Sequence, residues 1–211
     1  MKSAFKTGAI VRKRILSLIL LICIGLTVAG CTSGDKPESS VDNYFKAIKE
    51  CNSENLKSSV QFAGDFKSDT DIFADESFKD LFIENGKVIK YKINGTTINN
   101  DDAKVMVNCT YGDASEIIGI AMNAYLKKAL STAFSDKKSS KEESTKILSE
   151  EIQAAIKSNP LKTVTKDIEV NCKRVDGKWK VVADENSVSI MTANIYDMFK
   201  NMAQGLNNKE K

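Results

Sequence analysis

Five cysteines, five tyrosines and no histidine bound the chemistry open to this 211-residue chain. Without an imidazole it lacks the commonest general base, metal ligand and near-neutral proton switch, which excludes His-dependent triads and His-bearing zinc sites. No Cys-x-x-Cys pair occurs, so a redox or zinc motif has no support. Tyr91 and Tyr111 fall in strand-like stretches and could donate hydrogen bonds, although packing with a polar tip is the commoner role of such residues. Cys51, Cys109 and Cys172 read as small buried apolar residues. Their odd number leaves at least one thiol free or bridged to another chain. Cys31 stands apart, because Val28-Ala29-Gly30-Cys31 closes an apolar run and opens a polar one.

Residues 1–30 carry Lys2, Lys6, Arg12, Lys13 and Arg14, no acid, and an apolar run from Ile15 to Ala29. A basic start, a short apolar core and small residues at a cut site make a secretory signal peptide. The run falls short of the ~20 residues of a spanning helix, and no basic stop-transfer cluster follows it. Val28-Ala29-Gly30-Cys31 resembles the lipobox of bacterial lipoproteins. The resemblance implies that the Cys31 thiol receives diacylglycerol, that cleavage follows Gly30, and that palmitate-type acyl chains anchor the protein. The expected location is the extracytoplasmic face of the cell membrane. Buried methylenes contribute ~0.8 kcal/mol each, and two chains hold a protein where one does so only marginally.

Removing the leader changes the charge. The 31 basic residues less five leave 26 against 28 acids, a formal net of −2. Arg174 is the sole arginine after residue 30. A nucleic-acid binder concentrates positive charge and uses Arg heavily, so nucleic acid is rejected as a partner. No cofactor and no metal is expected.

Residues 31–40, polar with Gly and Pro, read as a flexible tether. Val41, Tyr44, Phe45, Ile48 and Cys51 fall at helical spacing behind Ser40 as N-cap. A short helix is expected near Glu54 with Leu56 and Val60, an irregular stretch over Gly64 to Glu76, and another short helix near Ser77 to Ile83. Asn85-Gly86 is a turn signal. Lys87 to Ile98 and Ala103 to Tyr111 then alternate as an antiparallel pair around Asn99-Asn100-Asp101-Asp102. Glu116 to Phe134 and Lys146 to Ser158 read as a helical hairpin closed by Pro160.

Asp176-Gly177 fits a type I′ turn and sets Arg174 opposite Trp179, Cys172 opposite Val181 and Val170 opposite Ala183. Turn chemistry and alternation give one register. Val188, Met191, Ile195, Met198, Phe199 and Met202 form the stripe of one C-terminal amphipathic helix that ends near Gly205. The division is leader 1–30, tether 31–40, a single α+β domain over 41–206 with 116–158 inserted, and a frayed tail 207–211. The expected fold is N-terminal helices packed on a curved, cone-like antiparallel sheet, with an inserted helical hairpin and a C-terminal helix.

Val41-Asp42-Asn43-Tyr44-Phe45-Lys46-Ala47-Ile48-Lys49, the string Asp102-Ala103-Lys104-Val105-Met106-Val107 and the string Val175-Asp176-Gly177-Lys178-Trp179-Lys180-Val181 resemble the first helix, second strand and late strands of the nuclear-transport-factor-2-like (cystatin-like) cone. Small lipoproteins of Gram-positive bacteria carry such domains. The resemblance implies a concave apolar face, here Tyr91, Val107, Cys109, Tyr111, Val170, Cys172, Trp179 and Val181. Three functions follow. The first is a lipid-anchored binding module for a small apolar ligand or an envelope component. The second is an assembly lipoprotein docking an envelope protein through the hairpin. The third is a cone-type isomerase or dehydratase, which needs an inward carboxylate and a Tyr donor. The inward positions of the late hairpin hold no acid and Arg174 sits beside the turn, so the expectation is a protein that is not an enzyme.

Overall fold

The computed structural model describes residues 35–62, 77–133 and 140–207. The leader, Cys31 and the whole stretch from Gly64 to Glu76 expected to be irregular lie outside the described residues. From Lys36 onward the chain is one compact unit. Its frame is a strand pair set by turn chemistry. Asp176 and Gly177 take φ of 51° and 76°, the left-handed pair that a type I′ turn requires. The turn joins β4 (Lys162–Val175) to β5 (Lys178–Val182), with Cys172 opposite Val181 and Arg174 opposite Trp179. Ala183 lies beyond this ladder, and its N–H donates to Gln61 O.

Asn100, at φ 54°, turns β2 (Lys90–Asn99) into β3 (Asp102–Asp113). The sheet order is β1-β5-β4-β3-β2, where β1 (Val60–Gln61) is a two-residue strand parallel to β5 and the other pairs are antiparallel. Val60, expected to close a helix, thus opens the sheet edge.

Alternation sorts the faces. Ala103, Val105, Val107, Cys109 and Tyr111 of β3 point with Ile168, Val170 and Cys172 of β4 and Trp179 and Val181 of β5 into the core. The opposite face is polar and cross-linked. Lys104 reaches Glu169 at 2.7 Å, the Asn108 amide donates to Asp167 at 2.7 Å, and the Thr110 and Thr165 hydroxyls meet at 2.8 Å. Such cross-strand pairs stabilise the sheet by ~0.2–1 kcal/mol each.

Helices cover the apolar face of this open, curled sheet. Helix α1 (Pro37–Lys49) lays Val41, Tyr44, Phe45 and Ile48 on it, all without accessible surface. It begins at Pro37, inside the stretch read as tether. Lys36 is the N-cap, Pro37 sits where a missing N–H is harmless, and Ser40 is an interior residue whose Oγ donates to Trp179 O. After Cys51, left-handed at φ 49°, Asn52 caps α2 (Ser53–Ser59) by accepting from Asn55 N–H.

Asn85-Gly86 is not a turn. It lies inside α3 (Lys79–Val88), and β2 starts only at Lys90. A Cβ at Gly86 would stand 2.7 Å from Lys49 O, so glycine is what lets α3 and α1 touch. Asn85 is fully buried and bridges elements, donating to Ile190 O at 2.9 Å and accepting from Gly112 N–H at 2.8 Å.

Helices α4 (Ser115–Ala133) and α5 (Lys141–Ser158) form the expected hairpin. The expected single C-terminal helix is two, α6 (Glu185–Met191) and α7 (Ile195–Asn207). Ala193 and Asn194 separate them in left-handed backbone, at φ 50° and 64°. Tertiary bonds hold the break. Asn194 N–H returns to Ser189 O, Ala193 O accepts from Ala114 N–H, and Asn194 Oδ1 accepts from Tyr111. Helix α7 also continues past Gly205 to Asn207, into the stretch read as frayed.

Candidate functional site

The eight residues expected on the concave face do share one face. Val107, Cys109, Tyr111, Val170, Cys172, Trp179 and Val181 are buried there, and Tyr91 is half-buried at its β2 margin. They do not line an opening. A water-filled hollow would leave its lining side chains some accessible surface. Val105, Cys109, Val181, Tyr44 and Phe45 have none, and Val107 and Val170 have 1 %. Phe45 stacks on Tyr91 with ring centroids 4.1 Å apart, and the Tyr91 hydroxyl donates to Asp42 at 2.9 Å. The Tyr44 hydroxyl donates to Ser187 O. Arg174 lies over the Trp179 ring, 4.7 Å from its centroid, as a rim cation.

Titration follows burial. Desolvation, joined for Cys172 by the charges of Glu38 and Asp184, pushes the Cys109 and Cys172 thiols up to about 12, away from the thiolate that a nucleophile needs. Burial raises Tyr91 to about 12, helped by its bond to Asp42. Burial raises Tyr111 to about 12, helped by the charge of Asp197. Tyr44, fully buried, is pushed well above its usual range. Burial thus favours the protonated forms of these groups near neutrality.

Cys109 and Cys172 are buried and free. Cys172 stands opposite Ala103, whereas Cys109 stands opposite Lys166. Six residues of strand separate them, ~20 Å, far beyond the reach of a disulfide.

The inward register of β4 continues past Ile168 to Lys166, and there the helical cover thins. A shallow cleft of ≈ 560 Å³ opens between Ser115, Lys166, Asn194, Asp197, Met198, Asn201 and Met202. Asp197 accepts from the Ser189 hydroxyl at 2.7 Å, and Tyr111 donates to Asn194 at 3.2 Å. Lys166 and Asp197 put one ammonium and one carboxylate on its lining. Among the described residues its lining holds no Tyr, and the buried Tyr111 donates to Asn194, which is not the arrangement of a carboxylate base with an opposed phenol donor. Sequence reasoning missed Lys166, Asn194 and Asp197. The break after Met191 brings the last two into place, and nothing in the helical stripe announces it.

A second surface lies on the hairpin. Ile117, Ile118 and Ala121 of α4 and Ile152 and Ala155 of α5 are buried at its base. Further out no described residue of either helix is fully buried. Leu126 is 53 % and Leu130 58 % exposed, with Ile120 at 41 % nearer the base. The outward side of α5 is polar, with Glu142, Glu143, Lys146, Glu150 and Gln153 exposed. Lys128 of α4 pairs with Glu151 of α5 between the helices.

The domain receives its chain at one end and presents the hairpin at the other. Ser40 bonds Trp179, which stands opposite Arg174, whose N–H donates to Asp101 O beside the start of β3. The hairpin leaves after Asp113, at the other end of that strand, ~37 Å away at ~3.4 Å per residue.

No protein-family model and no curated protein matches this chain. Among solved structures it is similar to a Bacillus subtilis protein described as a "putative lipoprotein (ycdA)", with a TM-score of 0.38, 17 % identity, and coverage of 74 % of this chain and 46 % of that one. The chain thus spans about half the length of that protein. It is also similar to a Xanthomonas campestris protein described as a "putative calcium/calmodulin dependent protein kinase II association domain", with a TM-score of 0.29, 12 % identity, and coverage of 69 % and 83 %. Likeness at this level assigns neither a ligand nor a partner.

Proposed function

We propose that this is a lipid-anchored docking module on the extracytoplasmic face of the cell membrane, with a cone-like domain of the nuclear-transport-factor-2-like type and no catalytic role of its own. The anchor rests on Cys31 behind a basic, apolar, acid-free leader. The docking role rests on one observation, that the sheet face that would hold an apolar ligand is filled while Leu126 and Leu130 stand out on the hairpin. Helical cover without accessible surface leaves a ligand no seat on the sheet, and apolar side chains grouped on an exposed face mark an interaction site.

The shallow cleft at Lys166 and Asp197 carries a second reading, a small polar ligand held at the mouth of the domain. The enzyme reading is the weakest of the three: the buried thiols and phenols keep their protons, and Tyr44, Tyr91 and Tyr111 each spend the hydroxyl within the fold.

Replacing Cys31→Ser is expected to abolish incorporation of labelled palmitate and to leave the precursor uncut after Gly30. Palmitate uptake by that variant would refute the anchor. Native mass spectrometry of the purified protein tests the docking half. The expected mass is that of the polypeptide with its covalent lipid, alone or in polypeptide complexes, and a further stoichiometric apolar molecule lost on denaturation would contradict it.

A further inference from the structure

We infer that Asn94 is a site of spontaneous covalent modification, where its side chain closes on the main-chain nitrogen of Gly95, sheds ammonia and yields aspartate or isoaspartate at position 94. Asn-Gly occurs twice in the chain, at Asn85-Gly86 and at Asn94-Gly95. The pair invites this cyclisation, because a residue without a Cβ neither shields its own nitrogen nor restrains the peptide that must swing toward the carboxamide. The fold treats the two sites in opposite ways. Asn85 lies inside α3 with no accessible surface, and its carboxamide is held at both ends, by Ile190 O at 2.9 Å and by Gly112 N–H at 2.8 Å. Gly86 is pressed against Lys49 O. A carboxamide so held cannot turn onto the next nitrogen, and the water that the reaction consumes is kept out.

Asn94 sits on β2, at the outer edge of the sheet. The register shifts between Ile93, opposite Val107, and Gly95, opposite Met106, so Asn94 has no partner across the strands. Such a bulge leaves its extra residue unpaired and disrupts the ladder around it. Asn94 and Gly95 are both exposed, and a Cβ at Gly95 would meet nothing within 4 Å. The Gly95 amide gives its proton to hydroxide, and its nitrogen bonds to Cγ of Asn94. The Cγ–Nδ2 bond breaks, and the nitrogen leaves as ammonia after taking a proton from water, which restores the hydroxide. Water then opens the cyclic imide at either carbonyl carbon. One opening gives aspartate, and the other gives isoaspartate, in which the main chain runs through Cγ. The second product adds a methylene to the main chain at a position already outside the ladder, so the sheet keeps its register.

The test incubates the purified protein at mildly alkaline pH, folded and again unfolded in guanidinium, and follows both sites by peptide mapping with mass spectrometry. In the folded protein the Asn94 peptide is expected to gain the mass of an amide-to-acid change at least about tenfold faster than the Asn85 peptide. In guanidinium the two peptides should convert at similar rates, since the dipeptide is the same. Gly95→Ala, whose methyl enters open space, should slow conversion at Asn94 in the folded protein by at least about tenfold and leave the circular dichroism unaltered. Conversion of folded Asn94 no faster than that of folded Asn85 would overturn the site. A gap of the same size in guanidinium would trace the difference to the flanking sequence and overturn the role of the bulge. An unchanged rate in Gly95→Ala would overturn cyclisation through the Gly95 nitrogen.

Discussion

The buried amide of Asn85 ties α3 to the β3 terminus and to α6 through its bonds with Gly112 and Ile190. Asn85→Ala strands a buried N–H and a buried C=O, so denaturant unfolding should show a loss of roughly 1–3 kcal/mol for each group left without a partner. A loss under about 0.5 kcal/mol would mean that the bridge is not formed. The thiols and phenols make a second prediction at this scale. Cys109 and Cys172 rise from 9.0, and Tyr91 and Tyr111 from 10.0, to about 12. Folding therefore favours their protonated forms. Their contribution to stability is complete below pH 9 and is lost as pH climbs toward about 12, because the unfolded chain ionises first. Unfolding midpoints should fall across that window, and a flat profile from pH 8 to 11 would contradict the burial. At the residue scale, alternation was enough to put Val107, Cys109, Tyr111, Val170, Cys172, Trp179 and Val181 on one face. It could not say that Phe45 and Tyr44 would close that face, because stripe positions on a distant helix carry no address.

Where local chemistry and tertiary contact agree, elements are legible. Asp176-Gly177 fixes a register by backbone geometry alone, and the predicted pairs Arg174–Trp179 and Cys172–Val181 are found. Asn85-Gly86 carries a similar local signal and means something else. Its glycine serves a helix crossing against Lys49 and its asparagine a buried bridge, and both partners are remote in sequence. The split of the C-terminal helix was hidden for the same reason. The apolar stripe runs on through the break, and only Ala114 and Tyr111 reveal why Ala193 and Asn194 leave the helical region. The start of α6 was overlooked although its signal is local. Asp184 accepts from Ser187 N–H at 2.9 Å while Ser187 Oγ accepts from Asp184 N–H at 2.9 Å, and Asp184 also takes the Asn171 amide. Asp184→Ala should cost ~0.5–2 kcal/mol through the lost cap. Thermal melts of that variant would read it, and an unchanged melting temperature would argue that α6 is held by packing alone.

At the scale of the whole molecule, the described domain has two distinct ends. The chain enters near Trp179, and the hairpin leaves from the other end of β3. Between them the curled sheet carries a solid core. This arrangement depends on the concave face being packed, and one substitution tests that directly. Val105 sits in the middle of β3 with no accessible surface, beneath the helical cover. Val105→Leu adds one methylene to that space. A packed face cannot accept it without displaced side chains, so urea unfolding should show a loss of ~1–3 kcal/mol. Unchanged or increased stability would show room above the sheet, and with it a ligand cone in place of a solid core.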